Sequence, residues 1–113
     1  MHEYSLVDNI FKIVISTAEK EGLKKITKIN LCIGKMRQVV PEIMQFAFNA
    51  IALETVALGA VLEITQIPVE ITCNNCKAKS IVDDNIYICP SCGSSQLEII
   101  RGKELFIESI EGD

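Results

Sequence analysis

The sequence is short of positive charge, of histidine and of long apolar runs, and each shortage removes a class of function. Lys and Arg number 11 against 15 Asp and Glu in 113 residues, a net charge of −4. Such a balance leaves no basic footprint for a phosphate backbone, so nucleic acid is not expected as a partner. A protein partner or a cation suits it better. No stretch of about eighteen consecutive apolar residues exists, so no membrane span is expected. Met1-His2-Glu3-Tyr4 carries no positive n-region, and Asp8, Asn9 and Lys12 interrupt the apolar residues that follow. A secretory signal is therefore not expected either. There is no low-complexity tract, and no repeat beyond a doubled cysteine motif. With 49% hydrophobic and 23% charged residues, the chain suits one compact domain with a small satellite and not disorder.

What the sequence does have is Cys73-Asn74-Asn75-Cys76 and Cys89-Pro90-Ser91-Cys92, with twelve residues between the pairs. Two Cys-x-x-Cys knuckles at this spacing are the ligand pattern of a tetrahedral tetrathiolate zinc site. Each two-residue spacer lets the backbone bend so that both sulfurs and one or two amide N–H groups face one ion. Asn74, Asn75, Ser91 and Gly93 supply turn chemistry. The competing reading is a pair of disulfides or four unrelated thiols. Four sulfurs fill the tetrahedron and leave no place for water or substrate, so the zinc is expected to be structural and the chain not an enzyme. Thiols in metal spacing indicate a reducing, cytoplasmic setting. The segment 68–98 has few large apolar side chains, and zinc worth roughly 10–16 kcal/mol decides whether such a module folds. A strong chelator is expected to unfold it and leave much of the rest intact.

Around that segment the pattern is α+β. Leu6, Val7, Ile10, Phe11, Val14 and Ala18 form the apolar stripe of a helix. Ser5 to Asp8 fits a capping box at its start, and Gly22 a left-handed end. Lys28 to Ile33 alternates as a strand, with Ile29, Leu31 and Ile33 on one face and Lys28, Asn30 and Cys32 on the other. A loop, Lys35 to Gln38, leads to a second helix opened by Pro41 and Glu42 and running to Leu58, where Gly59 breaks it. Its thin polar stripe predicts burial on most sides. Val61 to Ile67 and Lys103 to Ile110 are the remaining strands. The expected architecture is two helices on a three-stranded, antiparallel-containing sheet, with a zinc-ribbon-like module inserted. The strands flanking the module are expected to pair antiparallel and so bring its ends together. The domain limits are then 1–67 with 99–113 for the α+β part and 68–98 for the module.

His2 is the one histidine. A penultimate residue this large should block removal of Met1, so the free amine is expected to be that of Met1. That amine, the deprotonated amide nitrogen of His2 and its Nδ1 can chelate one metal through fused rings, and Glu3 can add an oxygen. A coplanar nitrogen set suits Ni(II) or Cu(II), not tetrahedral zinc. The competing reading is a frayed, solvated end, with Glu3 serving only as a favourable charge in the first helical turn. Cys32, outside the tetrad, reads as a small buried thiol, against a lesser option as a redox or metal ligand.

Met1-His2-Glu3-Tyr4-Ser5-Leu6, Gly34, Val39-Val40-Pro41-Glu42, Phe46-Ala47-Phe48, Gly59-Ala60, the two Cys-x-x-Cys pairs and Gly102-Lys103-Glu104-Leu105 resemble the HypA/HybF family of hydrogenase nickel-incorporation proteins. The resemblance runs over essentially the whole length, in the same order. It implies a nickel metallochaperone for maturation of [NiFe] hydrogenase, and in some organisms urease, carrying Ni(II) as cargo and Zn(II) as a structural ion. It implies a nickel site of Met1, His2 and Glu3, and zinc ligands Cys73, Cys76, Cys89 and Cys92. As partners it implies a HypB-type GTPase and the hydrogenase large-subunit precursor; the chain is expected to be a monomer or weak homodimer. The alternative is a zinc-ribbon protein-interaction or nucleic-acid adaptor with no nickel function. Against a nucleic-acid role, 68–98 offers only Lys77 and Lys79 as cations and Tyr87 as its aromatic.

Overall fold

The computed structural model describes residues 2–113, the side chains of residues 2 and 3 excepted. Contacts divide the chain into two compact units. One comprises Met1–Cys32, Val39–Thr65 and Phe106–Asp113, the other Ile33–Gln38 and Gln66–Leu105. The expected module, 68–98, lies inside the second unit, which also holds 33–38 and residues up to 105.

In the first unit, helix α1 (His2–Glu21) buries Val7, Ile10, Val14 and Ala18 of the stripe its periodicity predicts, with Leu6 and Phe11 half-buried at its margin. It begins ahead of the expected cap. Ser5 is inside the helix, and Asp8 does not close a capping box. Its Oδ2 lies 3.0 Å from Lys12 Nζ one turn on, an i,i+4 pair that favours helix at these residues over a cap. At the far end Gly22 takes φ +67°. Leu23 N–H donates to the Ala18 carbonyl at 2.9 Å and Gly22 N–H to that of Glu19 at 3.4 Å, the two bonds of a Schellman end.

Strand β1 (Ile26–Gly34) is the middle strand of a three-stranded sheet ordered β2-β1-β6, with β2 at Val61–Ile67 and β6 at Leu105–Gly112. The expected pairing of the strands that flank the cysteine segment is therefore corrected: β1 lies between them. The reason is apolarity. Ile29, Leu31, Cys32 and Ile33 are all buried, so the second half of β1 is covered on both faces, and the centre of a sheet covers both edges too. β1 and β6 run antiparallel, with Asp113 N–H donating to the Lys25 carbonyl and Gly34 N–H to that of Glu104, each at 2.8 Å.

Helix α2 (Pro41–Ile51) is shorter than expected. After Ala52 the Thr55 hydroxyl donates to the Ala52 carbonyl at 2.7 Å and accepts from the Ala57 amide at 3.1 Å. This local turn competes with further helix. Nor is α2 buried on most sides. Met44, Ala47 and Phe48 face inward, with Phe48 meeting Phe11 of α1 edge-on at 6.0 Å, while Phe46 is 70% exposed.

The second unit has a sheet of its own, absent from the expectation, ordered β4-β3-β5. β3 (Glu70–Cys73) pairs antiparallel with β4 (Lys79–Ile81) and with β5 (Leu97–Arg101), with Ile71 opposite Ser80 and Ile99. It is this β3–β5 pair that closes the ends of the cysteine segment.

Candidate metal centre

The two knuckles are built alike. Cys73 N–H donates to the Ala78 carbonyl and Cys89 N–H to that of Ser94; Lys77 N–H donates back to the Cys73 carbonyl and Gly93 N–H to that of Cys89, all at 2.8–2.9 Å. Each knuckle so ends on a residue with positive φ, +67° at Lys77 and +76° at Gly93. The turn demands the left-handed region, and glycine meets that demand in the second knuckle without strain where lysine meets it in the first at some cost. The first knuckle follows directly from β3, and Asn74 N–H ties it to the Gln96 carbonyl at 2.8 Å.

Between the knuckles the sulfurs of Cys73, Cys76, Cys89 and Cys92 all lie within 4.8 Å of one another. Cys73 Sγ is 3.6 Å from Cys92 Sγ, and Cys76 Sγ 3.6 Å from Cys89 Sγ. None of the four is in a disulfide, so the competing reading of two bridges is not what forms. Thiolates about 2.3 Å from a zinc at a tetrahedron's centre stand about 3.8 Å apart, so the donor set fits that ion. Cys73 and Cys89 are buried and Cys76 and Cys92 exposed.

The electrostatics fit a cation as well. The Cys76 amide, 3.4 Å from Cys73 Sγ, is the main cause that holds the Cys73 thiol down to about 6, and the Asn75 amide, Cys92 and Cys76 add to it against the opposing effect of burial. The Cys92 amide lowers Cys89 in the same way. Cys76 goes the other way. The Ala78 amide pulls it down, but Cys89, burial, Cys92 and Cys73 together push it up to about 11. Backbone donors favour thiolates at the leading cysteine of each knuckle, and like charges so close cannot all persist without a cation to offset them.

Of the expected nickel ligands, Met1 and the side chains of His2 and Glu3 lie outside the described residues. The backbone at His2 does open α1. The first four amides of a helix have no partner within it, so the His2 amide nitrogen is not committed to a helical hydrogen bond. Cys32 is buried in β1, and its thiol donates to a Glu108 carboxylate oxygen at 3.6 Å. Among the described residues the four cysteines are the one group of three or more possible ligands.

The family model described as hydrogenase/urease nickel incorporation, metallochaperone, hypA, matches residues 1–112. The chain belongs to the HypA family. A hydrogenase maturation factor HypA of Moorella thermoacetica is 38% identical over 113 residues, covering all of both chains. HypA 2 of Bradyrhizobium diazoefficiens is 37% identical, again over the whole of both. The solution structure of the Ni metallochaperone HypA from Helicobacter pylori matches with a TM-score of 0.65 at 26% identity, over 97% of this chain and 96% of that one. A second HypA solution structure matches at 0.70 and 28%, over 99% and 96%. The family resemblance in the sequence is thus upheld, and HypA-family membership gives the tetracysteine centre its setting in a metallochaperone.

Spacing predicts the convergence of the four cysteines but not what else touches them. Asn75, counted in the sequence only as a turn residue, sends its Nδ2 to Cys92 Sγ at 3.6 Å. A motif that treats the spacer positions as free carries no signal for such a contact.

Proposed function

We propose that this HypA-family chain captures Ni(II) at its N-terminus and delivers it during maturation of [NiFe] hydrogenase, and in some settings urease, while zinc held by Cys73, Cys76, Cys89 and Cys92 keeps the second unit folded. The observation that carries the reading is the family match, which spans residues 1–112 and so includes the first residues as well as both knuckles. A centre that offers four mutually adjacent sulfurs has no open position for cargo; the cargo site must be elsewhere. The Met1 amine, the His2 amide nitrogen and His2 Nδ1, with an oxygen from Glu3, supply a planar nitrogen-rich set suited to nickel. The chain is not an enzyme in this reading. It works with a HypB-type GTPase and delivers its metal to the hydrogenase large-subunit precursor, and thiols in metal spacing suit a reducing, cytoplasmic setting.

The cycle is capture, docking and release. A site of few ligands binds moderately, as a donor must. Protons compete for imidazole and amine, with ordinary pKa values of about 6.5 and about 7.7–8, so nickel binding weakens as pH falls below roughly 6.5. Cu(II) binds the same set more tightly in vitro, so selectivity comes from partner and metal supply.

The test is nickel titration of the untagged chain beside His2→Ala and a variant with one residue added before Met1. Both changes should abolish nickel binding and leave one zinc per chain. Survival of nickel stoichiometry and affinity in both variants would remove the N-terminal site from consideration.

A further inference from the structure

Zinc centres of this kind are weakest at their most accessible sulfurs, where an electrophile can take a thiolate away from the metal. Here Cys76 and Cys92 are the exposed members of the four, while Cys73 and Cys89 are shielded by burial. The two exposed sulfurs are not treated alike. The Asn75 side-chain amide crosses from the first knuckle to the second and donates to Cys92 Sγ at 3.6 Å. Among the described residues it is the one non-cysteine side chain that donates to any of the four sulfurs. The backbone beside it is anchored, with Asn74 N–H tied to the Gln96 carbonyl and Cys73 N–H to that of Ala78.

We propose that Asn75 is a positioning residue of the centre, whose amide holds the Cys92 sulfur in place across the knuckles and blunts its attack on electrophiles. A donor hydrogen bond to a thiolate is charge-assisted. It draws on the lone pair that a reagent needs, and nucleophilicity falls with it. Partners outside the ligand set that orient and tune a metal's ligands are a general feature of such sites. The inference rests on the zinc reading above.

The test uses the full zinc-loaded chain with Asn75→Ala, which removes the donor, and Asn75→Asp, which keeps the shape and loses the donor. Zinc per chain is measured first. Each protein is then treated with limiting N-ethylmaleimide, and alkylation at each cysteine is followed by peptide mass mapping. In both variants Cys92 should react about tenfold faster, a change of about 1.4 kcal/mol in barrier, with Cys76 within about twofold of its original rate. A general loosening of the fold would instead speed all four cysteines together, and that result overturns the proposal. So does an unchanged Cys92 in a zinc-bearing chain. A parent chain that holds no zinc overturns the zinc reading and this inference with it.

Discussion

Cys32 and Glu108 show what a single contact settles. Spacing alone left Cys32 between a buried thiol and a ligand. In the sheet it is buried beside a carboxylate, and burial first, then the charge and hydrogen bond of Glu108, push its thiol above the ordinary 9.0. The sign follows. A raised folded-state value means the neutral thiol is favoured, so its contribution to stability is complete below pH 9 and is lost as pH climbs through the folded value. Cys32→Ala, with no thiol to ionise, should therefore show a shallower fall in urea midpoint than the parent between about pH 9 and 11. Identical slopes would mean that the contact does not couple to folding. The neighbouring Asn30 belongs to the same polar face, donating to Ser109 Oγ at 2.8 Å and Glu111 Oε2 at 2.9 Å.

Among the elements, α2 departs most from its pattern. A thin polar stripe on an apolar helix predicts burial all round, yet only one side meets α1 and the sheet. Phe46 and Phe48, two positions apart, therefore lie in opposite environments, 70% and 0% exposed. Phe48→Ala should cost about 3–5 kcal/mol, as large-to-small changes in a packed core do. Phe46→Ser should stay within about 0.5 kcal/mol, the usual range for an exposed position. Denaturant midpoints of the two variants decide it, and a similar loss in both would contradict the packing. In the second unit, the segment after β1 is held by close backbone approach. A Cβ on Gly34 would overlap the Gly102 carbonyl, while Arg37 Nε donates to the Lys103 carbonyl at 2.8 Å. Residues 33–38 thus fold with the cysteine segment despite their distance along the chain.

At the scale of the molecule, the two units draw on different sources of stability. The first has Val14, Ile26, Ile29, Leu31, Met44 and Phe48 fully enclosed. In the second unit, beyond Cys73 and Cys89, the buried apolar side chains are Ile33, Val69 and Ile71. So small a core does not hold a sheet by itself, and on the zinc reading proposed above an ion worth roughly 10–16 kcal/mol would make up the difference. A strong chelator should collapse the methyl dispersion of Val69 and Ile71 in an NMR spectrum and leave that of Val14 and Leu31. Ile81 and Ile86, both exposed, are poorer reporters. Retention of the Ile71 signals after complete zinc removal would show that the unit folds unaided.

The sequence by itself determined the α1 stripe, the extent of β2, the convergence of the four cysteines and the family, because each of these depends on residues a few positions apart or on a motif read whole. The tertiary structure alone decided that β1 takes the middle of its sheet, that β3 and β5 close the cysteine segment, that α2 leaves Phe46 in solvent and that Asn75 reaches Cys92. Those outcomes join groups well separated along the chain, where local periodicity has no hold and competition among burial, strand edges and hydrogen-bond donors makes the choice.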